Sequence, residues 1–376
     1  MHPARFYARS LPAALLSLCA ACAPSVTAPD SLAPDASPDA LVTDAPASET
    51  PTAMPPRNVV APTPPASRVV APGVRRESFL VEAPAPRPNA ITTPSVRAPI
   101  FTPVGSNLLR VLRYRADVDP PAEVRAVVVT MPGFLGGAGS FDGLSRALVT
   151  KGLAPGGTPV EVWGVDRRAN QLEDLRGMEA AEALMDPEIA RDYYLARNIT
   201  VNGERFGGFL QPSSVTLAYM SEWGLETTIN DLHAVVQQIP EPRSHAVLLG
   251  HSMGASIVEA YAAWDFDGTP GYRSIAGMAF IDGVLNGTPL TERSYYDGGG
   301  PAPGGIGTAA GVTAVRTNGP FFFALPLLGV RALVVSEIVA RRALATPDAV
   351  VRDPYRDQLF EVLLGVSPLP AMSNAA

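Results

Sequence analysis

The sequence is poor in cysteine. Of its 376 residues only Cys19 and Cys22 carry a thiol, so none is present after residue 22. A disulfide, a zinc site of cysteine ligands and a cysteine nucleophile are therefore excluded from the rest of this sequence. No other residue pattern indicates a metal ion or an organic cofactor, and we expect neither.

Dense positive charge is also missing. The formal net charge is −7 at pH 7, the sequence pI is near 5.2, and the chain has no run of Lys or Arg. Proteins that bind nucleic acid present a basic surface to the phosphate backbone. The sequence therefore predicts no nucleic-acid partner.

Residues 1–22 have the pattern of an export signal. Arg5 and Arg9 precede an apolar run at 10–21, which is too short to cross a bilayer and ends in small residues. Positive charge, a short apolar run and small residues, in that order, are typical of a secretory signal peptide. We therefore predict an exported protein.

The residues before Cys22 also resemble a bacterial lipobox. This resemblance implies that Cys22 becomes the lipid-bearing first residue of the mature protein and anchors it to a membrane. Simple cleavage after a small residue is the alternative, and it would release a secreted protein. The expected location is the bacterial cell envelope, as a lipoprotein, or the exterior.

Residues 23–103 differ in composition from the rest of the chain. Of 39 prolines, 20 lie before residue 104, and no apolar period typical of a helix or a strand is sustained. Such a segment cannot bury enough apolar surface to offset the entropy lost on ordering. We predict a Pro- and Ala-rich disordered linker at 23–103 and one globular domain at 104–376.

After residue 104, short apolar runs alternate with helix-forming stretches. The run at 108–115 mixes apolar and basic residues like an edge strand, and runs typical of buried strands follow at 124–130, 160–165, 246–250 and 276–281. Strands that alternate with helices form a doubly wound, mostly parallel sheet, whose ligands bind at the carboxyl ends of the strands. The predicted fold class is therefore α/β.

Two stretches do not follow this alternation. Residues 167–225 are predicted to form a long polar insertion, and residues 284–376 a helical, lid-like region after the strand that ends at Asp282. No strand or helix pattern closes the sequence, so we expect the domain to be incomplete at its C-terminus. The apolar stretch 321–335 is too short to span a bilayer. It is expected to be a core-facing or lid helix, the alternative being an acyl-pocket wall or a lipid contact.

A serine lies between a predicted strand and a predicted helix. The motif Gly250-His251-Ser252-Met253-Gly254 follows an apolar run and precedes a helix-forming stretch. A Gly-x-Ser-x-Gly elbow in this context strains the serine backbone and exposes its hydroxyl at the edge of the sheet. The helix behind it directs unpaired N–H groups toward that hydroxyl. This arrangement suits a nucleophile and an oxyanion.

Three motifs in this order resemble the α/β-hydrolase superfamily over residues 108–283: the loop Pro132-Gly133-Phe134, then Val165-Asp166-Arg167-Arg168, then the elbow. The resemblance implies that Ser252 is the nucleophile. It also implies that the N–H groups of Met253 and Phe134 form the oxyanion hole. Such fixed backbone donors stabilise a tetrahedral oxyanion by about 3 kcal/mol each.

Two aspartates are candidates for the acid of a catalytic triad. Asp282 ends the strand after the elbow strand, at a place where the superfamily puts this carboxylate. A turn residue that hydrogen-bonds its own backbone is the alternative for Asp282. Asp166 is expected to pair with Arg167 or Arg168 and to fix its loop rather than to act in catalysis.

The histidines depart from the superfamily pattern. The sequence has four, His2, His233, His245 and His251, and none follows Ser252. In the superfamily the base comes last, after the nucleophile and the acid. We expect His251 to be a packed structural residue, His245 to lie at the far end of its strand and His233 to lie within a helix. A serine hydroxyl without a base is a poor nucleophile.

The sequence therefore predicts an exported serine hydrolase, esterase- or lipase-like, that cleaves an acyl ester through an acyl-enzyme on Ser252. The expected substrate is a small-molecule ester, either lipid-like or small and hydrophobic. A non-catalytic, hydrolase-like envelope protein that binds a ligand or a partner is the alternative, because no histidine follows the nucleophile. A dehalogenase-like reaction is disfavoured, because the elbow of those enzymes usually carries Asp in place of Ser.

Overall fold

The structure, a computed structural model, describes most of the chain after residue 56. The described residues are 57–86, 103, 105–119, 121–134, 136–209, 218–240, 245–283, 298–301, 308–310, 330–351 and 372–373.

Strands and helices alternate along the first part of the described chain. The strands are β1 (Arg57–Val59), β2 (Ser67–Ala71), β3 (Val74–Glu82), β4 (Leu108–Ala116), β5 (Ala126–Met131), β6 (Val160–Val165), β7 (Ile199–Val201), β8 (Ala246–His251), β9 (Asp265–Phe266), β10 (Thr269–Pro270), β11 (Gly277–Ile281), β12 (Gly298–Pro301), β13 (Thr308–Ala310), β14 (Val350–Val351) and β15 (Met372–Ser373). The α-helices are α1 (Asp142–Gly152), α2 (Arg176–Leu184), α3 (Pro187–Arg191), α4 (Leu225–Val236), α5 (Met253–Ala263) and α6 (Val330–Ala345). A π-helical turn spans Asp192–Ala196, and 3₁₀ turns span Ala138–Phe141, Arg168–Leu172, Ala218–Glu222 and Gly271–Ser274.

Seven strands form the central sheet, in the order β11-β8-β5-β6-β4-β3-β2. The four strands β11, β8, β5 and β6 run parallel to one another, and β4 runs antiparallel to β6. β3 and β2 extend this end as antiparallel neighbours. The predicted doubly wound, mostly parallel α/β sheet is confirmed.

The chain changes direction across the sheet at β5. From β5 it passes to β6 on one side, and only later to β8 on the other. Loops that leave neighbouring strands in opposite directions open a crevice at the carboxyl ends of those strands. The loop that follows β5 and the serine that follows β8 lie at this crevice.

Helices cover both faces of the sheet because its strands are apolar on both sides. Val127, Val129 and Leu248 pack with Leu232 of α4 and Val258 of α5 on one face. A smaller cluster on the opposite face joins the other sheet side chains to α1, and it consists of Val74, Leu112, Tyr114, Ala138, Val149 and Val162. Successive residues of a strand point to opposite faces, so one strand serves both clusters.

A third apolar cluster lies among β1, α2, α3, the π-helical turn, β7 and α6. β1 pairs in parallel with β7, and a bidentate ion pair joins Arg342 of α6 to Glu188 of α3, with nitrogen to oxygen distances of 2.6 and 2.8 Å. The predicted polar insertion therefore contains an ordered apolar core. Its buried members include Tyr193, Tyr194 and Ile189. The composition of 167–225 did not reveal this core, because its apolar side chains pack against segments from both ends of the described chain.

The prediction of a disordered linker is wrong over 57–86. β3 pairs with β4 over its whole length, from Val74 with Ala116 to Glu82 with Leu108. For the same reason β4 is an interior strand and not the predicted edge strand. The basic residues that suggested an edge are instead paired across the sheet, as Arg115 is with Glu77 at 2.6 Å. Apart from residue 103, the rest of 23–103 lies outside the described residues, as does the predicted signal at 1–22 with Cys22.

Little of the predicted lid-like region is described. α6 includes the predicted helical stretch at 337–344 and the last residues of the apolar stretch 321–335. The other helix predicted there, at 355–364, lies outside the described residues. Within the part of the chain that the structure covers, no helix is long and apolar enough to cross a membrane.

Candidate active site

Ser252 lies in a strained turn between β8 and α5. Its backbone angles are φ 52° and ψ −123°, a conformation that non-glycine residues rarely adopt. Such strain costs about 1–3 kcal/mol and persists only where the surroundings fix it. The surroundings do so here, because Ser252 donates its N–H to the carbonyl of Ile281 at 3.1 Å and accepts from the N–H of Ala255 at 3.0 Å.

The two glycines of the elbow are required by close approach. A Cβ built on Gly250 would lie 2.4 Å from the carbonyl oxygen of Gly254. One built on Gly254 would lie 2.1 Å from the carbonyl oxygen of Met131, at the end of β5. Real side chains do not tolerate such distances. A larger residue at Gly250 would therefore distort the elbow itself, and one at Gly254 would push the elbow away from β5.

The start of α5 points toward the serine. Met253 is the first residue of the helix, so its N–H lacks an intrahelical partner. The helix dipole adds positive potential at the same place. A developing negative charge beside Ser252 would be stabilised there, as the sequence predicted for Met253.

The loop after β5 lies against the serine from the other side. A Cβ built on Gly133 would be 3.0 Å from Cβ of Ser252 and 3.2 Å from Nδ1 of His251. The next residue, Phe134, has a half-exposed side chain, with 44% of its surface accessible. The two predicted oxyanion donors, Phe134 and Met253, therefore flank Ser252 on neighbouring segments.

A side chain that the sequence did not single out for this role organises the loop. Nη2 of Arg167 lies 2.7 Å from the carbonyl oxygen of Gly133, 2.6 Å from that of Phe134 and 3.1 Å from that of Gly136. Burial lowers the pKa of Arg167, but a guanidinium remains protonated in proteins. The only local signal was the position of Arg167, just after the carboxyl end of a parallel strand.

Asp166 fixes its loop, but not through the predicted partners. Its Oδ1 accepts from the N–H of Ala138 at 2.6 Å, and its Oδ2 pairs with Arg110 of β4 at 2.5 Å. Arg167 is directed to the β5 loop instead. Arg168 is buried in a bidentate pair with Asp231 of α4. The prediction of pairing with Arg167 or Arg168 was wrong because the neighbouring strand supplies a cation that the local sequence cannot show.

Asp282 lies next to the elbow. The hydrogen bond from Ser252 ends on Ile281, and a Cβ built on Gly283 would lie 2.9 Å from the carbonyl oxygen of Ser252. Asp282 itself has φ 43° and an exposed side chain. No hydrogen bond or ion pair joins its carboxylate to another residue in the part of the chain that the structure describes. The fold thus brings the segment to the serine, and the role of Asp282 stays a prediction.

Two of the three described histidines, His251 and His233, contact aromatic rings. His251 meets the ring of Phe141 edge-on, with 6.4 Å between centroids. His233 stacks on Phe266 at 3.9 Å, and its Nδ1 lies 3.0 Å from the hydroxyl of Tyr261. His245 comes just before β8, at the end of that strand opposite Ser252. No described histidine is hydrogen-bonded to the Ser252 hydroxyl.

The described residues contain no group of three or more His, Cys, Asp or Glu side chains placed to hold a metal ion.

Strand order, the crevice beside β5 and the strained serine together define an α/β-hydrolase fold. No protein-family model matches the chain, and no match to a curated protein was found.

Several solved structures are similar in fold. They include a proposed lipase from Sulfolobus solfataricus, with 14% identity, a TM-score of 0.41 and coverage of 84% of this chain and 67% of the other. A cold-adapted esterase from an Arctic intertidal metagenomic library has 13% identity and a TM-score of 0.29, covering 57% of this chain and 62% of its own. A bacterial heroin esterase has 12% identity and a TM-score of 0.27, and the match covers 68% of this chain and 57% of the esterase chain. At these values the fold assignment rests on the strand order and the elbow.

Proposed function

We propose that the protein is a serine hydrolase of the esterase or lipase kind that cleaves an acyl ester through an acyl-enzyme on Ser252. The observation that carries the proposal is the strained backbone of Ser252, held between two crowded glycines at the end of a parallel strand. Backbone strain of this kind costs stability and is found mainly at functional sites. In a strand–turn–helix elbow it exposes the serine hydroxyl to a bound substrate.

In the proposed reaction Oγ of Ser252 attacks the ester carbonyl and its proton leaves to a base. The carbonyl oxygen becomes an oxyanion, which accepts hydrogen bonds from the N–H groups of Met253 and Phe134. Collapse of the tetrahedral intermediate releases the alcohol and leaves the acyl group on Ser252, and water then hydrolyses it. Asp282 is the proposed triad acid, because its segment is hydrogen-bonded to the elbow.

The substrate proposed is a small ester with an apolar acyl group. The half-exposed ring of Phe134, on the loop that lies against Ser252, is the apolar side chain that supports this choice. Export through residues 1–22 and a lipid anchor on Cys22 belong to the same proposal, and they rest on the sequence pattern.

One observation favours a second candidate, a non-catalytic protein that binds a ligand or a partner at the elbow. No histidine follows Ser252 in the sequence, and His233 and His251 contact other side chains. Without a base the hydroxyl would bind a ligand carbonyl but would not acylate.

Covalent labelling with a fluorophosphonate separates the two. Wild-type protein is expected to gain one adduct, localised to Ser252 by peptide mass spectrometry, and the Ser252→Ala variant none. Ser256→Ala, one turn further along α5, is the matched control and should label like the wild type. Equal labelling of wild type and Ser252→Ala would refute the serine hydrolase, and labelling of neither would favour the binding protein.

A further inference from the structure

Arg167 makes most of the contacts that hold the loop beside Ser252. The N–H of Gly136 also donates to the carbonyl of Gly133 at 3.1 Å, and Nδ2 of Asn170 donates to that of Gly136 at 3.4 Å. A single nitrogen of Arg167, Nη2, lies within 3.1 Å of three carbonyl oxygens, those of Gly133, Phe134 and Gly136. Because Nη2 carries two protons, at least one proton is shared between two acceptors. Three carbonyl groups of the loop thus point toward the guanidinium of Arg167.

The geometry of the peptide bond converts this contact into a direction for the N–H groups. In a trans peptide the carbonyl and the following N–H point in opposite directions. Holding the carbonyl of Gly133 toward Arg167 therefore turns the N–H of Phe134 away from Arg167. Gly133 is also the residue that abuts Cβ of Ser252. Arg167 therefore fixes the orientation of the proposed N–H donor of Phe134 by holding the opposite side of the same peptide group.

The same guanidinium also reaches the side chain of Met253, the residue that carries the other proposed donor. Nη1 of Arg167 lies 4.0 Å from Sδ of Met253, the first residue of α5. Phe134 and Met253 come from segments after different strands, and Arg167 follows a third strand, β6. One side chain therefore joins both halves of the proposed oxyanion hole.

The position of the charge fits this role. Removing a guanidinium from water is costly unless several acceptors replace the water, and three carbonyls do so here. Lysine would keep the charge, but its ammonium would fall about one bond length short of the carbonyls and would lose the contact with Met253.

We propose that Arg167 is a positioning residue that orients the oxyanion-stabilising backbone of Phe134 and links it to Met253. The proposal rests on the proposed function, in that it assigns Arg167 to the same site. Arg167 does not itself touch the reacting atoms.

The test compares Arg167→Met and Arg167→Lys with wild type, using p-nitrophenyl acetate as the probe substrate. Rates are expressed per active site, titrated as the fluorophosphonate adduct on Ser252. Loss of one oxyanion donor lowers kcat by about 10²- to 10³-fold, and we expect this for Arg167→Met, with KM changed by less than about threefold. For Arg167→Lys we expect a kcat between that of Arg167→Met and that of wild type. Arg125→Met, which removes an exposed arginine paired with Glu123, is the control and should match wild type.

A second measurement does not depend on turnover. Amide hydrogen exchange at Gly133, Phe134 and Gly136 should be faster in Arg167→Met than in wild type, and unchanged in Arg125→Met. Unchanged exchange at these residues would overturn the proposal even if the protein proves to have no hydrolase activity. A wild-type kcat per titrated site in Arg167→Met, with only a lower melting temperature, would overturn it as well, because Arg167 would then act on stability alone. Absence of labelling at Ser252 in wild type would count against the proposed function and leave the exchange result to decide the role of Arg167.

Discussion

Ser252 lies between two segments of opposite character. On the β6 side each charged residue is engaged: Asp166 by Ala138 and Arg110, Arg167 by three carbonyls, and Arg168 by Asp231. On the β11 side Asp282 has an exposed carboxylate, and its strand leaves Met278, Phe280 and Ile281 exposed.

The difference separates the two tasks of a catalytic site. Stabilising an oxyanion requires donors that do not reorganise, and the β6 side supplies a rigid frame for them. Orienting a base requires a carboxylate that can still accept a hydrogen bond, and Asp282 can do so. The oxyanion half of the proposed site is therefore preorganised, whereas the acid half is open.

The largest expected effect is a loss of stability when Arg168, on the β6 side, is replaced. Its guanidinium is 3% exposed and contacts Asp231, the carbonyl of Pro84 and the side chain of Asn107. Arg168→Met would leave the carboxylate of Asp231 buried without its partner, which costs about 3–5 kcal/mol of unfolding free energy. Urea denaturation measures this loss. Arg125→Met should lose less than about 1 kcal/mol, because its pair is exposed. An equal loss in both variants would contradict the rigid frame.

A smaller loss is expected where the elbow meets β5. Gly254→Ala places a methyl group against the carbonyl of Met131 and should lower the unfolding free energy by about 1–3 kcal/mol. It should also slow fluorophosphonate labelling, because the serine moves with the elbow. Gly139→Ala is the control, since no atom lies within 4 Å of its built Cβ. If both variants lost the same stability, the crowding at the elbow would not exist in solution.

The smallest effect on stability is expected on the open side. Asp282→Asn should change the unfolding free energy by less than about 0.5 kcal/mol, because the carboxylate is exposed. It should nevertheless slow labelling of Ser252 if Asp282 acts as the triad acid. Asp267→Asn is the matched control, because Asp267 is also exposed and has a similar backbone angle, φ 52° compared with 43° for Asp282. Labelling rates that stay equal in the two variants would remove Asp282 from the proposed mechanism.

Much of the parallel core followed from the sequence. The run at 160–165 was predicted with the observed bounds, and those at 124–130 and 276–281 within two residues of them. Local patterns succeed here because a buried parallel strand is apolar throughout and ends at a turn residue. The helix predicted around His233 is also present, at Leu225–Val236.

The proline-rich segment shows where local patterns fail. β3 carries arginine and glutamate and has no clear apolar period, so it looked like solvated linker. In the structure Val81 and Val74 are buried, and Glu77 of β3 pairs with Arg113 and Arg115 of β4. Partners that lie far away in the sequence decide the state of such a strand, and composition cannot reveal them.

The sequence by itself determined the elbow, because a serine in a strained turn needs small residues at fixed local positions. It also determined where the parallel strands lie along the chain. Only the tertiary structure decided that Arg167 gathers the β5 loop, that Asp166 pairs with Arg110 and that 57–61 joins a cluster with α6. The physical reason is separation along the chain. Backbone strain and apolar period act between neighbours, whereas ion pairs and sheet edges select partners from the whole folded chain.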